Sequence, residues 1–202
     1  MSQRKKVGIL LSGRGSNFLA LSDAVEAGRV PAEIALVVSN REEAPGLQHA
    51  RDRGYRALFI PSKGREREEF DREVVAELRK AGVEIVCLAG FMRLLSPYFI
   101  REFPMRILNI HPSLLPAFPG LHAQRQALEW GVKVTGCTVH FVDEELDHGP
   151  IIVQRAVPVL DDDTEETLAA RILEQEHQAY PEALRIVCEE RFRIVGRRVV
   201  VE

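Results

Sequence analysis

Asn109, Ile110 and His111, followed by Pro112 and Ser113, close an apolar run in the middle of the chain. Side chains alternate along an extended strand, so Asn109 and His111 share one face and Ile110 takes the other. A carboxamide donor and an imidazole aimed at one place suit acyl transfer, in which an oxyanion develops while an amine must lose a proton. Pro112 biases His111 towards extended backbone and so sets its direction. Two polar side chains satisfying a loop backbone are the plainer alternative. A second segment, Ser12-Gly13-Arg14-Gly15-Ser16-Asn17, separates an apolar run from a helical pattern. Its glycines allow a tight turn with exposed N–H groups, and the helix start that follows favours an anion. A phosphate site is one expectation, and a βα turn without a ligand is the other. A dinucleotide fingerprint fails because Phe18 stands where its third glycine belongs, and a Walker loop fails for want of Gly-Lys-Ser/Thr.

Three further segments carry polar or apolar groups at places where a site could form. Asp143-Glu144-Glu145-Leu146-Asp147-His148-Gly149-Pro150 is an acidic loop, ordinarily a solvated surface. An aspartate returning near His111 would orient the imidazole and raise its basicity, but spacing alone does not show that the loop reaches. Gly90-Phe91-Met92-Arg93-Leu94-Leu95 follows another apolar run and either lines a flat pocket for an aromatic ring or packs on the next helix. Glu176 lies on a stripe with Leu168, Ile172, Tyr180 and Leu184 at four-residue steps. It either rims a site or snorkels at the edge of the core. The histidines at 49, 111, 122, 140, 148 and 177 show no HxxxH spacing, and no metal is expected.

The elements that must position these groups alternate regularly. Strands are expected at residues 7–11, 34–38, 57–60, 83–89 and 106–110. Between them come helices ending near residue 27, at 45–53, at 66–80 and in a short turn beginning near Ser96-Pro97. Strands with little polar alternation, separated by helices, predict a parallel sheet covered on both faces, and right-handed crossovers make it doubly wound. Consecutive strand-like runs at 134–142 and 150–159 predict antiparallel additions at one edge. Asp163, with Glu166 three residues on, has the spacing of a capping box for a long helix. Pro181 is expected to end or kink that helix. A small hairpin centred on Gly196 closes the chain. In such sheets ligands bind beyond the carboxyl ends of the strands, where most of these segments fall.

The chain of 202 residues fits a single domain, 1–202, long enough to bury a core without disulfides or metals. A net charge of −3 gives no reason to expect nucleic acid, and the short basic run Arg4-Lys5-Lys6 reads as a solvated strand entrance. Cys87, Cys137 and Cys188 stand far apart in apolar surroundings. They read as buried, reduced thiols of a cytoplasmic protein. The first apolar stretch is too short for a signal peptide, and none approaches the roughly 18 apolar residues that span a bilayer. Neither a monomer nor a homodimer is excluded.

Taken in order, Ser12–Asn17 (SGRGSN), Leu88–Leu95 (LAGFMRLL), Leu108–Pro116 (LNIHPSLLP) and Glu145–Pro150 (ELDHGP) resemble the folate-dependent formyltransferases. The first of them is similar to the glycinamide ribonucleotide branch of that family. The likeness runs from about residue 6 to about 185. It implies a Rossmann-like formyltransferase fold and transfer of a formyl group from the cosubstrate 10-formyltetrahydrofolate to the amine of 5-phosphoribosylglycinamide. The setting would be one-carbon metabolism and purine biosynthesis. The resemblance implies Asn109, His111 and Asp147 as catalytic, Gly15, Ser16 and Asn17 on the substrate phosphate, and Glu176 on the ribose hydroxyls. Met92, Arg93, Leu94 and Leu95 would line the pterin pocket, with Arg67 and Asn109 also on the folate side. His148 departs from the pattern, standing where the family often has glycine.

Three other readings compete. Methionyl-tRNA formyltransferases resemble this chain but carry a further tRNA-binding domain, for which there is no room here. Formyltetrahydrofolate hydrolases usually carry an N-terminal regulatory domain, whereas the first strand here begins by residue 7. A non-catalytic phosphate-binding module would use only the first loop and leave Asn109, His111 and the Asp147 loop without a role.

Overall fold

Apolar residues fill both faces of the first strands, as strands covered on both sides require. β1 (Lys5–Leu11) and β2 (Ala32–Ser39) are buried along most of their length. The computed structural model describes residues 3–202. After β1 and α1 (Ser16–Glu26) come β2, α2 (Pro45–Asp52), β3 (Ala57–Phe59), α3 (Arg67–Lys80) and β4 (Ile85–Leu88). Then follow α4 (Pro97–Glu102), β5 (Ile107–His111), α5 (Ala123–Trp130), β6 (Val134–Phe141), β7 (Ile151–Pro158) and α6 (Glu165–Glu189). The hairpin β8 (Phe192–Val195) and β9 (Arg198–Val201) completes the chain.

The strands form one sheet in the order β3-β2-β1-β4-β5-β6-β7-β9-β8. The first five neighbours run parallel. β6 is antiparallel to β5, and β7 to β6. The doubly wound, mostly parallel sheet with antiparallel additions at one edge is therefore the architecture found. From β1 the chain steps outward to β2 and β3, then returns to β4 and β5 on the other side. The reversal between β1 and β4 opens a crevice at their carboxyl ends.

Alternation along each strand feeds two core layers. Ile9, Leu11, Ile85 and Cys87 pack with Phe18 and Leu21 of α1 and with Ile172, Tyr180 and Leu184 of α6. Leu10, Val86 and Leu88 face the other way, onto Phe70, Val74 and Leu78 of α3 and Phe99 of α4. The Tyr180 hydroxyl, fully buried, lies 2.8 Å from the Leu88 carbonyl oxygen and 3.1 Å from that of Leu108. It ties α6 across the ends of β4 and β5.

Several boundaries differ from the sequence expectation, each for a local reason. β1 starts at Lys5, not residue 7, because Lys5 and Lys6 already pair in register with Ala32 and Glu33 of β2. Val83 precedes β4 and turns into the second core layer. α5 had no sequence signal: its N-cap is His122 in left-handed backbone, without a side-chain cap. Ala123 and Ala127 are its buried residues. The cap of α6 is Thr164 rather than Asp163, with Thr167 closing the capping box in place of Glu166. Asp163 instead accepts both arms of Arg171, at 2.7 and 2.9 Å. α6 also runs through Pro181 without ending. An interior proline costs a helix about 3 kcal/mol. The burial of Tyr180, Ala183, Leu184 and Val187 around it outweighs that, at roughly 1.5–3 kcal/mol for each large side chain.

Candidate active site

The end of β5 and the facing stretch of β6 hold the centre of the crevice. Asn109 pairs across the strands with His140, and His111 with Thr138, so four polar side chains share one face. His140 is buried, and its Nδ1 lies 2.8 Å from the Phe141 carbonyl oxygen. It donates there, which leaves Nε2 to accept from the Asn109 amide, 3.4 Å away. Burial holds the His140 imidazole below its ordinary pKa, and so in the neutral form this geometry needs.

His111 is 6% exposed. Its Nε2 lies 2.8 Å from the Phe118 carbonyl oxygen and its Nδ1 lies 3.5 Å from Asp147 Oδ2. The Gly120 N–H donates to the same Asp147 oxygen at 2.8 Å. The acidic loop between β6 and β7 thus does return to β5, and it meets His111 through a carboxylate that is itself buried. The segment between β5 and α5 is braced from beneath. Thr138 Oγ1 donates to the Ser113 carbonyl and accepts from the Leu115 N–H, and Gln154 donates to the Leu115 carbonyl.

Across the crevice, α1 begins at Ser16 after Gly15, whose φ of 75° is left-handed. A Cβ on Gly15 would stand 2.7 Å from the Gly46 Cα, so α1 and α2 can approach only with glycine there. No side chain caps α1, which leaves its first N–H groups facing the crevice mouth as an anion site. Asn17 Nδ2 lies 3.4 Å from Glu176 Oε1, while Asn17 Oδ1 is buried without a partner.

Glu176 is 7% exposed, so it is a buried carboxyl and not a snorkelling edge residue. Burial, opposed by the Asn17 amide, raises its pKa from 4.5 to about 7. With a folded value above the unfolded one, its contribution to stability is complete below 4.5 and is lost as pH rises through about 7. Glu176→Gln keeps the shape without the charge. The variant should melt above the parent near pH 8 and alike near pH 5, by on the order of 3 kcal/mol at the alkaline end. Equal melting of the two proteins across that range would refute this account of Glu176.

The loop after β4 is fixed by a chain of hydrogen bonds. The Met92 N–H donates to Ser12 Oγ at 2.8 Å, Ser12 donates to Asn40 at 2.6 Å, and Asn40 donates to Ser62 at 3.0 Å. The Arg93 guanidinium lies 4.8 Å over the Phe70 ring and donates to the carbonyls of Ser62 and Arg65. Met92 and Arg93 form one wall of an open cavity of about 500 Å³ beyond β2 and β3, opposite Asn40, Arg41, Phe59 and Lys63. Met92 and Leu94 are exposed, whereas Leu95 packs on the second core layer. Arg67 is exposed at the first turn of α3 and makes no ion pair among the described residues. The structure brings His111 to Asp147 and Asn17 to Glu176, sets β1 and β5 on either side of β4, and turns Leu95 into the second core layer.

Three participants in this geometry were not legible beforehand: His140, the Phe118 carbonyl and the Gly120 N–H. Strand alternation could have placed His140 on the face of Asn109 only once the β5–β6 register was known. The two backbone groups carry no sequence signal at all. Among the described residues no cluster of three or more His, Cys, Asp or Glu side chains could hold a metal, and no helix is long and apolar enough to cross a membrane.

Fold and site together define an open α/β protein whose polar crevice lies at the topological switch point, with a buried histidine–aspartate contact within it. Residues 5–184 match the model of the formyl transferase family, and the chain belongs to that family. Phosphoribosylglycinamide formyltransferase of Escherichia coli (strain K12) is 47% identical over 174 residues, which cover 86% of this chain and 82% of that protein. Trifunctional purine biosynthetic protein adenosine-3 of Drosophila melanogaster is 52% identical over 90% of this chain. The chain spans only 14–19% of the length of that protein and its counterparts in other animals. The crystal structure of glycinamide ribonucleotide transformylase 1 from Symbiobacterium toebii superposes with a TM-score of 0.97 at 52% identity, covering 100% of this chain and 95% of that one.

Proposed function

We propose that this protein transfers the formyl group of 10-formyltetrahydrofolate to the amine of 5-phosphoribosylglycinamide, a step of purine biosynthesis. The observation that carries the reading is the buried contact of His111 with Asp147, 3.5 Å apart, across the crevice from an uncapped helix start. Gly15, Ser16 and Asn17 hold the phosphate of the acceptor at the start of α1, where backbone N–H groups and the helix dipole favour an anion. Glu176, beside Asn17, takes the ribose hydroxyls. Met92, Arg93 and Leu94 line the folate side, with Leu95 supporting them from the core and Arg67 at the outer end. Residues 1–202 act as one domain, and the three buried free thiols suit the reducing cytoplasm.

The acceptor amine attacks the formyl carbon, and negative charge develops on the formyl oxygen. As that charge collapses, the bond from the formyl carbon to the folate nitrogen breaks, and tetrahydrofolate leaves with the proton that the amine gives up. Asn109 has a second amide hydrogen beyond the one given to His140, and that hydrogen meets the oxygen. His111 holds its Nε2–H on the Phe118 carbonyl until the formyl oxygen takes that place. Asp147 holds the other ring nitrogen and assists removal of the proton from the amine, directly or through water. No metal takes part. Two substrates must meet in one crevice, so positioning contributes as much as proton transfer.

Absorbance at the folate chromophore, followed with and without 5-phosphoribosylglycinamide, tests the reading. Formyl transfer that requires the acceptor is the expected result. Formyl loss independent of the acceptor would make the protein a hydrolase, and acceptor binding without any formyl loss would make it a binding module.

A further inference from the structure

Asp147 adopts a φ of 49°, a left-handed backbone that costs a non-glycine residue roughly 1–2 kcal/mol. Such a conformation persists where neighbouring contacts over-determine it. Asp147 itself supplies one contact, to the Gly120 N–H. The next residue supplies the rest. His148 Nδ1 lies 2.7 Å from Asp143 Oδ2, and its Nε2 lies 3.1 Å from Glu145 Oε2. Arg197, in the turn between β8 and β9, donates from Nη2 to the His148 carbonyl, and its Nη1 lies 3.2 Å from His148 Nε2. The sheet delivers Arg197 to this place: the adjacent Arg198 pairs with Ile151 of β7, just beyond the loop.

We propose that Arg197, acting with His148, is a positioning residue that clamps the Asp147 loop against His111. The β8–β9 hairpin, which lies beyond the family match ending at residue 184, then belongs to the scaffold of the site. Arginine suits this task because its planar fork makes two bonds from one fixed geometry. A donor from Arg197 to Nε2 requires the imidazole to carry its hydrogen on Nδ1, where Asp143 accepts it, and Nε2 then has no hydrogen to give Glu145. The loop carries histidine, and the imidazole gives Arg197 and Asp143 a common anchor that a glycine at this position would lack.

This inference rests on the formyl-transfer reading, in which Asp147 works on His111, and its test separates the two. Arg197→Ala, Arg197→Lys and His148→Gly are compared with the parent by hydrogen exchange of the amides of residues 143–149 and by steady-state kinetics. Arg197→Ala should exchange faster in that loop and lose roughly tenfold in kcat, since misplacement by about 1 Å costs up to about 10²-fold. KM for the phosphorylated amine, held on the far side of the crevice, should not change. Arg197→Lys should recover part of the loss, and His148→Gly, which keeps the carbonyl acceptor, should fall between. Parental exchange in the loop of Arg197→Ala overturns the clamp. Faster exchange with parental kcat overturns the positioning role. A parent protein without formyl transfer would defeat the functional reading, and the exchange measurement would still decide whether the clamp exists.

Discussion

His111→Ala should lower acceptor-dependent formyl transfer by roughly 10²-fold or more, because an oxyanion donor is typically worth about 2.7–4 kcal/mol of barrier. The same loss is expected for Asn109→Ala. The two should differ in what they leave behind. Removing the His111 imidazole leaves the Phe118 carbonyl to Ser113 Oγ, 3.3 Å away, and strips the buried Asp147 carboxylate of its imidazole partner, at about 1–3 kcal/mol for an unsatisfied buried group. Removing the Asn109 amide frees His140 Nε2 only. Thermal melting should therefore fall further for His111→Ala, while far-UV circular dichroism reports a folded protein in both. A folded His111→Ala protein with near-normal turnover would sink the assignment of His111, and with it the mechanism.

The second large effect is expected where no reacting group is changed. Gly149 sits at the neck of the Asp147 loop, and a Cβ placed there would stand 1.8 Å from the Phe141 carbonyl oxygen. Contact that close cannot be relieved by rotating a side chain, since the obstacle is backbone on β6. The neck must open, although the Phe141 N–H bonds to the Pro150 carbonyl across it and the buried Phe141 ring packs at 5.6 Å on Phe192. Gly149→Ala should therefore carry Asp147 away from His111 and cost on the order of 10²-fold in turnover. The loss should be in kcat, with the phosphate end of the acceptor still bound by α1. A Gly149→Ala protein with parental kcat would mean that the loop tolerates displacement. The clamp through Arg197 would then have nothing to protect.

What the sequence made legible follows from how local the cause is. The parallel strands were legible because their apolar runs and intervening helices repeat within a few dozen residues. Asn109 and His111 were legible as a pair because strand alternation is a two-residue rule. The nearness of Asp147 was not, since it depends on the turn from β6 into β7, and only the family resemblance suggested it. His140 was passed over for the same reason: its relation to Asn109 is a matter of register between strands more than 20 residues apart. Thr164 rather than Asp163 caps α6 because Arg171 claims the aspartate, a choice that propensity cannot make. The course of α6 through Pro181 reflects burial against the sheet, which overrides the local rule. His122 gives α5 no recognisable start, so that helix was invisible.

The order of the strands has a consequence for how the protein behaves in a crowded solution. A nine-stranded sheet has two open rims, each able to recruit a foreign chain through unpaired backbone groups. One rim is β3, with three residues, and the other is β8, with four. Arg193 is exposed within β8, and Arg191 and Arg197 flank it. Short rims carrying positive charge are poor templates for edge-to-edge growth. The hairpin joins β7 through the single pair of Ile151 with Arg198, so it shields only the start of that eight-residue strand from edge pairing.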